Sequence, residues 1–293
     1  MKRFCTLLVS ACCVTACGDE PQSDGLQQEK VTVVRAGDID ENSGIAPSFL
    51  TENAVWTHHD SGGTPVIYLI SLEDGSLLAT IALEGSINQD WEDITSFKKN
   101  GISYLAIGDV GDNFEKRREY QICILREPSL SPGLPAPQGF VVTRDNWVDL
   151  RFRYEDSAHN CEALAYDPKL DRFLLLTKKV RGNAGLYELA IPETDVEGPS
   201  VAEKIAEVNI QNVSAMDLSR SGESLFVRAY GIGHFFSIPV DTDWKSIFAD
   251  PLPKSHLLPK QLQGEGACFL PGTDSVLLST EKRNQPIFRV WIE

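Results

Sequence analysis

Apolar residues in this chain come in short runs separated by turn signals, and one such arrangement recurs along its length. Each occurrence opens on an oxygen-bearing residue followed by small or apolar ones: Ser43-Gly-Ile-Ala, Glu92-Asp-Ile-Thr, Glu162-Ala-Leu-Ala, Ser214-Ala-Met-Asp and Glu265-Gly-Ala-Cys. An apolar strand follows each, at Ala54-Val-Trp, Tyr104-Leu-Ala-Ile, Phe173-Leu-Leu-Leu, Leu225-Phe-Val and Val276-Leu-Leu. Between them lie turn signals such as Asp167-Pro168, Ser221-Gly222 and Pro271-Gly272, as a hairpin requires. A third strand recurs at Ile67 to Ile70, Ile122 to Leu125, Leu186 to Leu189, Phe235 to Ile238 and Ile287 to Val290, and fourth strands are legible at Leu77 to Leu83 and Val201 to Ile210.

Four strands in roughly fifty residues is the period of a propeller blade, and no long segment carries helical periodicity with caps. The pattern predicts an all-β, five-bladed β-propeller over residues 30–293 with four antiparallel strands per blade, the blades starting near 43, 92, 162, 214 and 265. The long second repeat predicts an insertion over about 128–144. The last repeat ends after three strands, while an orphan strand, Lys30 to Arg35, precedes the first. Pairing the two closes the ring and hides both edges.

The N-terminus changes the picture of where this fold resides. Lys2 and Arg3 precede an apolar run too short to span a bilayer, which reads as a secretion signal over residues 1–16. Val14-Thr15-Ala16-Cys17 resembles the lipobox of bacterial lipoproteins, which implies cleavage before a lipidated Cys17, and 17–29 read as a flexible tether. Gly18 in place of the Asp of an inner-membrane retention signal points to the periplasmic side of the outer membrane. The formal charge is −15, and losing Lys2 and Arg3 makes it more negative. Such a balance repels phosphate backbones and anionic headgroups, so nucleic acid is excluded as a partner, and the membrane is met through the lipid alone. A monomer is expected. Of the seven cysteines, only Cys123, Cys161 and Cys268 remain for the fold, which is no disulfide scaffold.

In a propeller the first strand of each blade lines the central channel, so Ser43, Glu92, Glu162, Ser214 and Glu265 are expected to form one ring. Three converging carboxylates raise one another's pKa and need compensation. A hard divalent cation with oxygen ligands, calcium, supplies it; protonated or water-bridged acids are the alternative. Zinc and copper fit poorly, because no His or Cys holds an equivalent position.

The order Ser, Glu, Glu, Ser, Glu with its longer second gap resembles the calcium-dependent apyrases, the soluble calcium-activated nucleotidases. That resemblance implies a five-bladed propeller with calcium held by Ser43, Glu92, Glu162, Ser214 and Glu265, and hydrolysis of nucleoside di- and triphosphates. Asp90-Trp91-Glu92-Asp93 and Gly108 to Asn113 look instead like a group of bacterial secreted propeller lipoproteins of unnamed activity.

The ends of the second strands share a face with the ring, and cations gather there in an otherwise acidic chain: Lys178, Lys179 and Arg181, Arg228, and Lys282 and Arg283. A metal backed by Lys and Arg suits an anionic, phosphate-containing small molecule. The expected machinery is Lys178, Arg228 and Lys282 on phosphoryl oxygens, with Asp109 or Asp112 orienting water. The bland reading of Gly108 to Asn113 is a turn that bonds its own backbone. Three functions remain open: a calcium-dependent phosphohydrolase of the cell envelope, a non-catalytic ligand- or protein-binding propeller with structural calcium, and an envelope assembly platform.

Overall fold

The computed structural model describes residues 25–36, 39–192, 198–240, 243–249 and 251–293. The cleavage site, Cys17 and residues 18–24 of the tether lie outside the described residues.

The chain enters as β1 (Leu26–Val33), then runs as a meander through β2 (Asn42–Pro47), β3 (Ala54–His59), β4 (Val66–Ser71) and β5 (Leu77–Leu83). Next come β6 (Trp91–Lys99), β7 (Ile102–Asp109), β8 (Tyr120–Arg126), β9 (Gln138–Val142) and β10 (Trp147–Tyr154). A third meander is β11 (Cys161–Asp167), β12 (Arg172–Thr177), β13 (Ala184–Ala190) and β14 (Ser200–Val208); a fourth is β15 (Val213–Leu218), β16 (Ser224–Ala229), β17 (Ile232–Ser237) and β18 (Ser255–Leu257). The chain ends with β19 (Ala267–Phe269), β20 (Val276–Leu278) and β21 (Pro286–Ile292).

Local chemistry sets the turns. Asn100 and Gly101 both adopt positive φ, 52° and 78°, between the paired ends Lys99 and Ile102, which is the two-residue hairpin that matches strand twist. Gly75 turns β4 into β5 at φ 76°, and a side chain there would collide with the Val33 carbonyl.

These strands form an all-β, propeller-type fold of four hydrogen-bonded sheets. The largest has eight strands because β10 and β14 pair in parallel, Phe152 opposite Ser200, and so join two four-stranded antiparallel halves. The N- and C-terminal strands pair antiparallel, Leu26 opposite Ile292, in the sheet β1-β21-β20-β19. β1 begins at Leu26, earlier than the polar composition of the tether suggested, because Leu26 packs against the apolar cluster that holds Val276 and Val290. The insertion supplies β9, which adds in parallel to the outer edge of β5. The first strands touch in a cycle, β2 to β6 to β11 to β15 to β19 and back to β2.

The core lies between neighbouring sheets. Trp56, Ile81, Trp91 and Leu105 fill one such space, and Leu174, Leu186, Met216 and Val227 another. Each such side chain contributes roughly 1.5–3 kcal/mol on burial, so the interfaces, not the channel, carry the stability. Cys123, Cys161 and Cys268 are free, buried thiols in three different clusters.

Candidate functional site

Four of the first strands carry a β-bulge, and each bulge spans a residue of the expected ring. The register with the second strand shifts between Asn42 and Ile45, Trp91 and Asp93, Cys161 and Ala163, and Val213 and Ala215. The extra residues include Ser43, Glu92, Glu162 and Ser214. A bulge breaks period-two alternation and re-aims its side chain, which is how consecutive residues such as Glu92 and Asp93 are both buried. Glu265 sits just ahead of β19.

Ser43, Glu92, Glu162 and Glu265 line one cavity of about 410 Å³, together with Asp60, Glu281, Lys178 and Asn113. Ser214 does not line it: its hydroxyl donates to the Gly264 carbonyl at 2.8 Å and ties adjacent first strands together. The Ser43 hydroxyl does the same towards the Glu92 carbonyl at 2.7 Å. Both serines are interstrand struts, and of the two Ser43 also faces the cavity.

The cavity is acidic. Burial, with Glu162 and Asp60 nearby, holds the Glu92 carboxyl well above its ordinary range. Burial and then Glu162 push Glu265 up to about 7. Burial and then Asp90 push Asp60 up to about 6, and Asp90 is itself raised by burial. Against these stands Lys178, whose Nζ lies 3.2 Å from Glu162 Oε1. Burial alone would lower the Lys178 pKa, but Glu162 and Glu265 outweigh it and raise it. Asn160 Nδ2 donates to the same Glu162 oxygen at 2.8 Å.

Among the described residues, one group of acids converges closely enough to share an ion. Ligand oxygens of Asp60, Asp90 and Glu92 all lie within 4.8 Å of one another. Gly111 forms a cradle behind them, since a Cβ there would collide with Glu92 Oε1 and Asp90 Oδ2. Of the three, Asp60 also has an oxygen, Oδ1, that is buried without a hydrogen-bond partner among the described residues and so is free to accept. Hard oxygen donors of this kind suit a hard divalent cation. The group overlaps the expected ring at Glu92 alone. Asp90 and Gly111 had no place in the ring pattern, although both stand in the two motifs that surround Glu92.

The expected catalytic and phosphate-holding residues are placed differently from the sequence reading. Asp109 pairs with Arg117 Nη1 at 2.7 Å and accepts from the Gln89 amide at 3.1 Å. Asp112 accepts from the Lys116 and Arg117 amides, each at 2.7 Å, and from Tyr120 Oη at 3.1 Å. Both hold the turn together, as the bland reading had it, and neither lines the cavity. Arg228 is a buried structural guanidinium: Nη1 donates to the Ser279 and Gly266 carbonyls at 2.7 and 2.9 Å, and Nη2 to Gln261 Oε1 at 2.5 Å. Burial lowers its pKa to about 10. Lys282 is half exposed, 3.5 Å from Glu281 Oε2, and does not line the cavity. Of the three expected phosphate cations, only Lys178 is in place.

No family model and no curated protein matches the chain. Among solved structures it is similar to the calcium form of a Trichoderma reesei enzyme of carbohydrate-active family AA12, with TM-score 0.53 at 8% identity over 92% of this chain and 96% of that one. It is also similar to the PQQ-bound aldose sugar dehydrogenase of Streptomyces coelicolor, with TM-score 0.46 at 12% identity over 94% and 100%. A gluconolactonase of Xanthomonas campestris gives TM-score 0.47 at 12% identity over 93% and 92%. The likeness to the AA12 enzyme, at 8% identity, bears on the fold alone and agrees with the propeller-type arrangement of the sheets.

Proposed function

We propose that this chain is a five-bladed β-propeller, exported and tethered through a lipidated Cys17 on the periplasmic side of the outer membrane, whose channel binds calcium and presents it to a ligand. Five blades follow if the eight-stranded sheet is counted as two, which its parallel β10–β14 seam supports. The metal reading rests on one observation, the convergence of Asp60, Asp90 and Glu92 oxygens within 4.8 Å. These three would hold the ion, and two of them, Asp60 and Glu92, share the cavity wall with Ser43 and Asn113. Bound there, calcium supplies a Lewis-acidic point of attachment for ligand oxygens.

The geometry favours the ligand-binding reading over the phosphohydrolase. A phosphoryl group needs cations around its oxygens, and the cavity wall offers Lys178, already paired to Glu162, among many carboxylates. With a doubly charged ion in place and the lining carboxyls ionised by it, five acids against Lys178 and the ion leave the wall net negative. Such a wall repels a nucleotide and accepts a neutral or cationic ligand. Against the pattern that resembles calcium-dependent apyrases, the proposed ion group shares Glu92 alone, and of the expected anion-holding groups the cavity keeps only Lys178.

Thermal unfolding in calcium, in magnesium and in chelator tests the metal, because an ion bound only by the native state raises the midpoint. A rise in calcium that Glu92→Gln removes supports the reading; equal midpoints in calcium and chelator would sink it. Calcium-dependent phosphate release from nucleotides or phosphate esters would return the protein to the hydrolases.

A further inference from the structure

The first strands all point the same way, so their far ends gather at the opposite mouth of the channel. A second cavity, of about 140 Å³, opens there between Pro47, Phe97, Tyr166, Leu218 and Phe269. In β6, Asp93 stands between Glu92 of the first cavity and Ile94 of the second, and its buried carboxyl accepts from the Ile94 and Leu164 amides, each at 2.9 Å.

The chemistry of this second cavity is the reverse of the first. Its walls are mostly apolar, and the polar groups of Ser96, Tyr166 and Asp217 on them are spent inside the protein. Ser96 Oγ donates to the Pro47 carbonyl at 2.8 Å, Tyr166 Oη to Asp171 Oδ1 at 2.7 Å, and Asp217 Oδ2 accepts from the Phe269 amide at 2.8 Å. Two cations stand at its lip. Arg220 Cζ lies 3.9 Å from the centroid of the Phe49 ring and Lys98 Nζ lies 5.1 Å from it, and both side chains belong to exposed residues. Among the described residues no carboxylate bonds either of them. Glu127 is the acid that bears on Arg220, and its oxygens are taken by Ser48 Oγ, Trp56 Nε1 and the Phe49 amide. Two cations free of carboxylate partners, held over one aromatic ring beside an apolar hole, are unusual on a chain of formal charge −15.

We propose that this mouth binds a small organic acid, with one apolar group of about benzene size buried in the cavity and its carboxylate at the lip between Arg220 and Lys98. Size sets the apolar part, since an apolar cavity of about 150 Å³ takes up benzene. Charge complementarity sets the rest: a guanidinium and an ammonium both held over Phe49 favour an anion over its neutral or cationic isostere. The site stands apart from the calcium reading, with Asp93 between the two.

Calorimetric titration of the purified protein with 3-phenylpropionate, 3-phenyl-1-propanol and phenethylamine tests it. Saturable binding is expected for the carboxylate, at least tenfold tighter than for the alcohol or the amine. Reversing both exposed charges, Lys98→Glu with Arg220→Glu, should weaken it at least tenfold with the unfolding midpoint unchanged. Chelator and Glu92→Gln should leave it as it was. Equal affinity for the alcohol, no saturable binding of the acid, indifference to charge reversal, or loss in chelator would each overturn the assignment.

Discussion

Lys178 reaches into the channel cavity and places its Nζ 3.2 Å from Glu162 Oε1, so the protein carries a cation of its own in the acidic wall where an ion is proposed to bind. The lysine and the ion therefore compete for the same negative charge. Lys178→Met should raise calcium affinity tenfold or more, since about 1.4 kcal/mol of lost repulsion is a factor of ten. Without calcium the same variant should lose roughly 3 kcal/mol of stability, the lower end for breaking a buried pair. Calorimetric titration and urea unfolding read the two effects; unchanged calcium affinity would separate Lys178 from the metal site.

Gly111 allows a selective test of the ion group. A Cβ there meets only the carboxylate ends of Glu92 and Asp90 as its nearest neighbours, and both can swing aside without moving backbone. Gly111→Ala should therefore fold, yet abolish the calcium-dependent rise in the unfolding midpoint by displacing two of three ligands. A full calcium response in this variant would move the ion elsewhere in the cavity.

The strands and their period were legible because half-buried strands alternate and turns have their own residues, as at Ser221-Gly222. The clustering of Glu92, Glu162 and Glu265 at one cavity followed from that period alone. The β-bulges were not legible: a one-residue insertion leaves no mark in composition, and it decides which side chains face the channel. The fate of Arg228 was hidden for a different reason. A strand-end Arg looks the same in sequence whether it faces an anion or, as here, the Ser279 and Gly266 carbonyls of a neighbouring sheet. Asp60 and Asp90 join Glu92 through folding, one from the end of β3 and one from the residue before β6.

Arg228 should accordingly behave as a structural residue. Replacing it by Ala leaves the Ser279 and Gly266 carbonyls and Gln261 without their donor, and a cavity against Gly264, where even a Cβ would collide with the guanidinium. The expected cost is about 3–5 kcal/mol in urea unfolding. Below its transition the variant should bind calcium as wild type does; a tenfold weaker calcium affinity with little loss of stability would restore Arg228 to the site.

Asp217 gives the fold a pH dependence that can be isolated. Its carboxyl is partly buried at the second cavity and accepts from the Phe269 amide at 2.8 Å, and the loss of solvent around it pushes its pKa from 3.8 up to about 7. A carboxyl raised in the folded state binds its proton more tightly there than in the unfolded chain, so its contribution is fully present below about pH 4. It is lost as pH climbs to about 7, and is level beyond. Over that window the loss is on the order of 4 kcal/mol. Asp217→Asn keeps a carbonyl oxygen for the Phe269 amide but cannot ionise. The difference in unfolding free energy between wild type and this variant should drift in favour of the variant from pH 4 to pH 7, then stay flat to pH 8.5. A difference that is constant across the whole range would mean that Asp217 titrates alike in the folded and unfolded chain, and that burial beside Phe269 does not hold its proton.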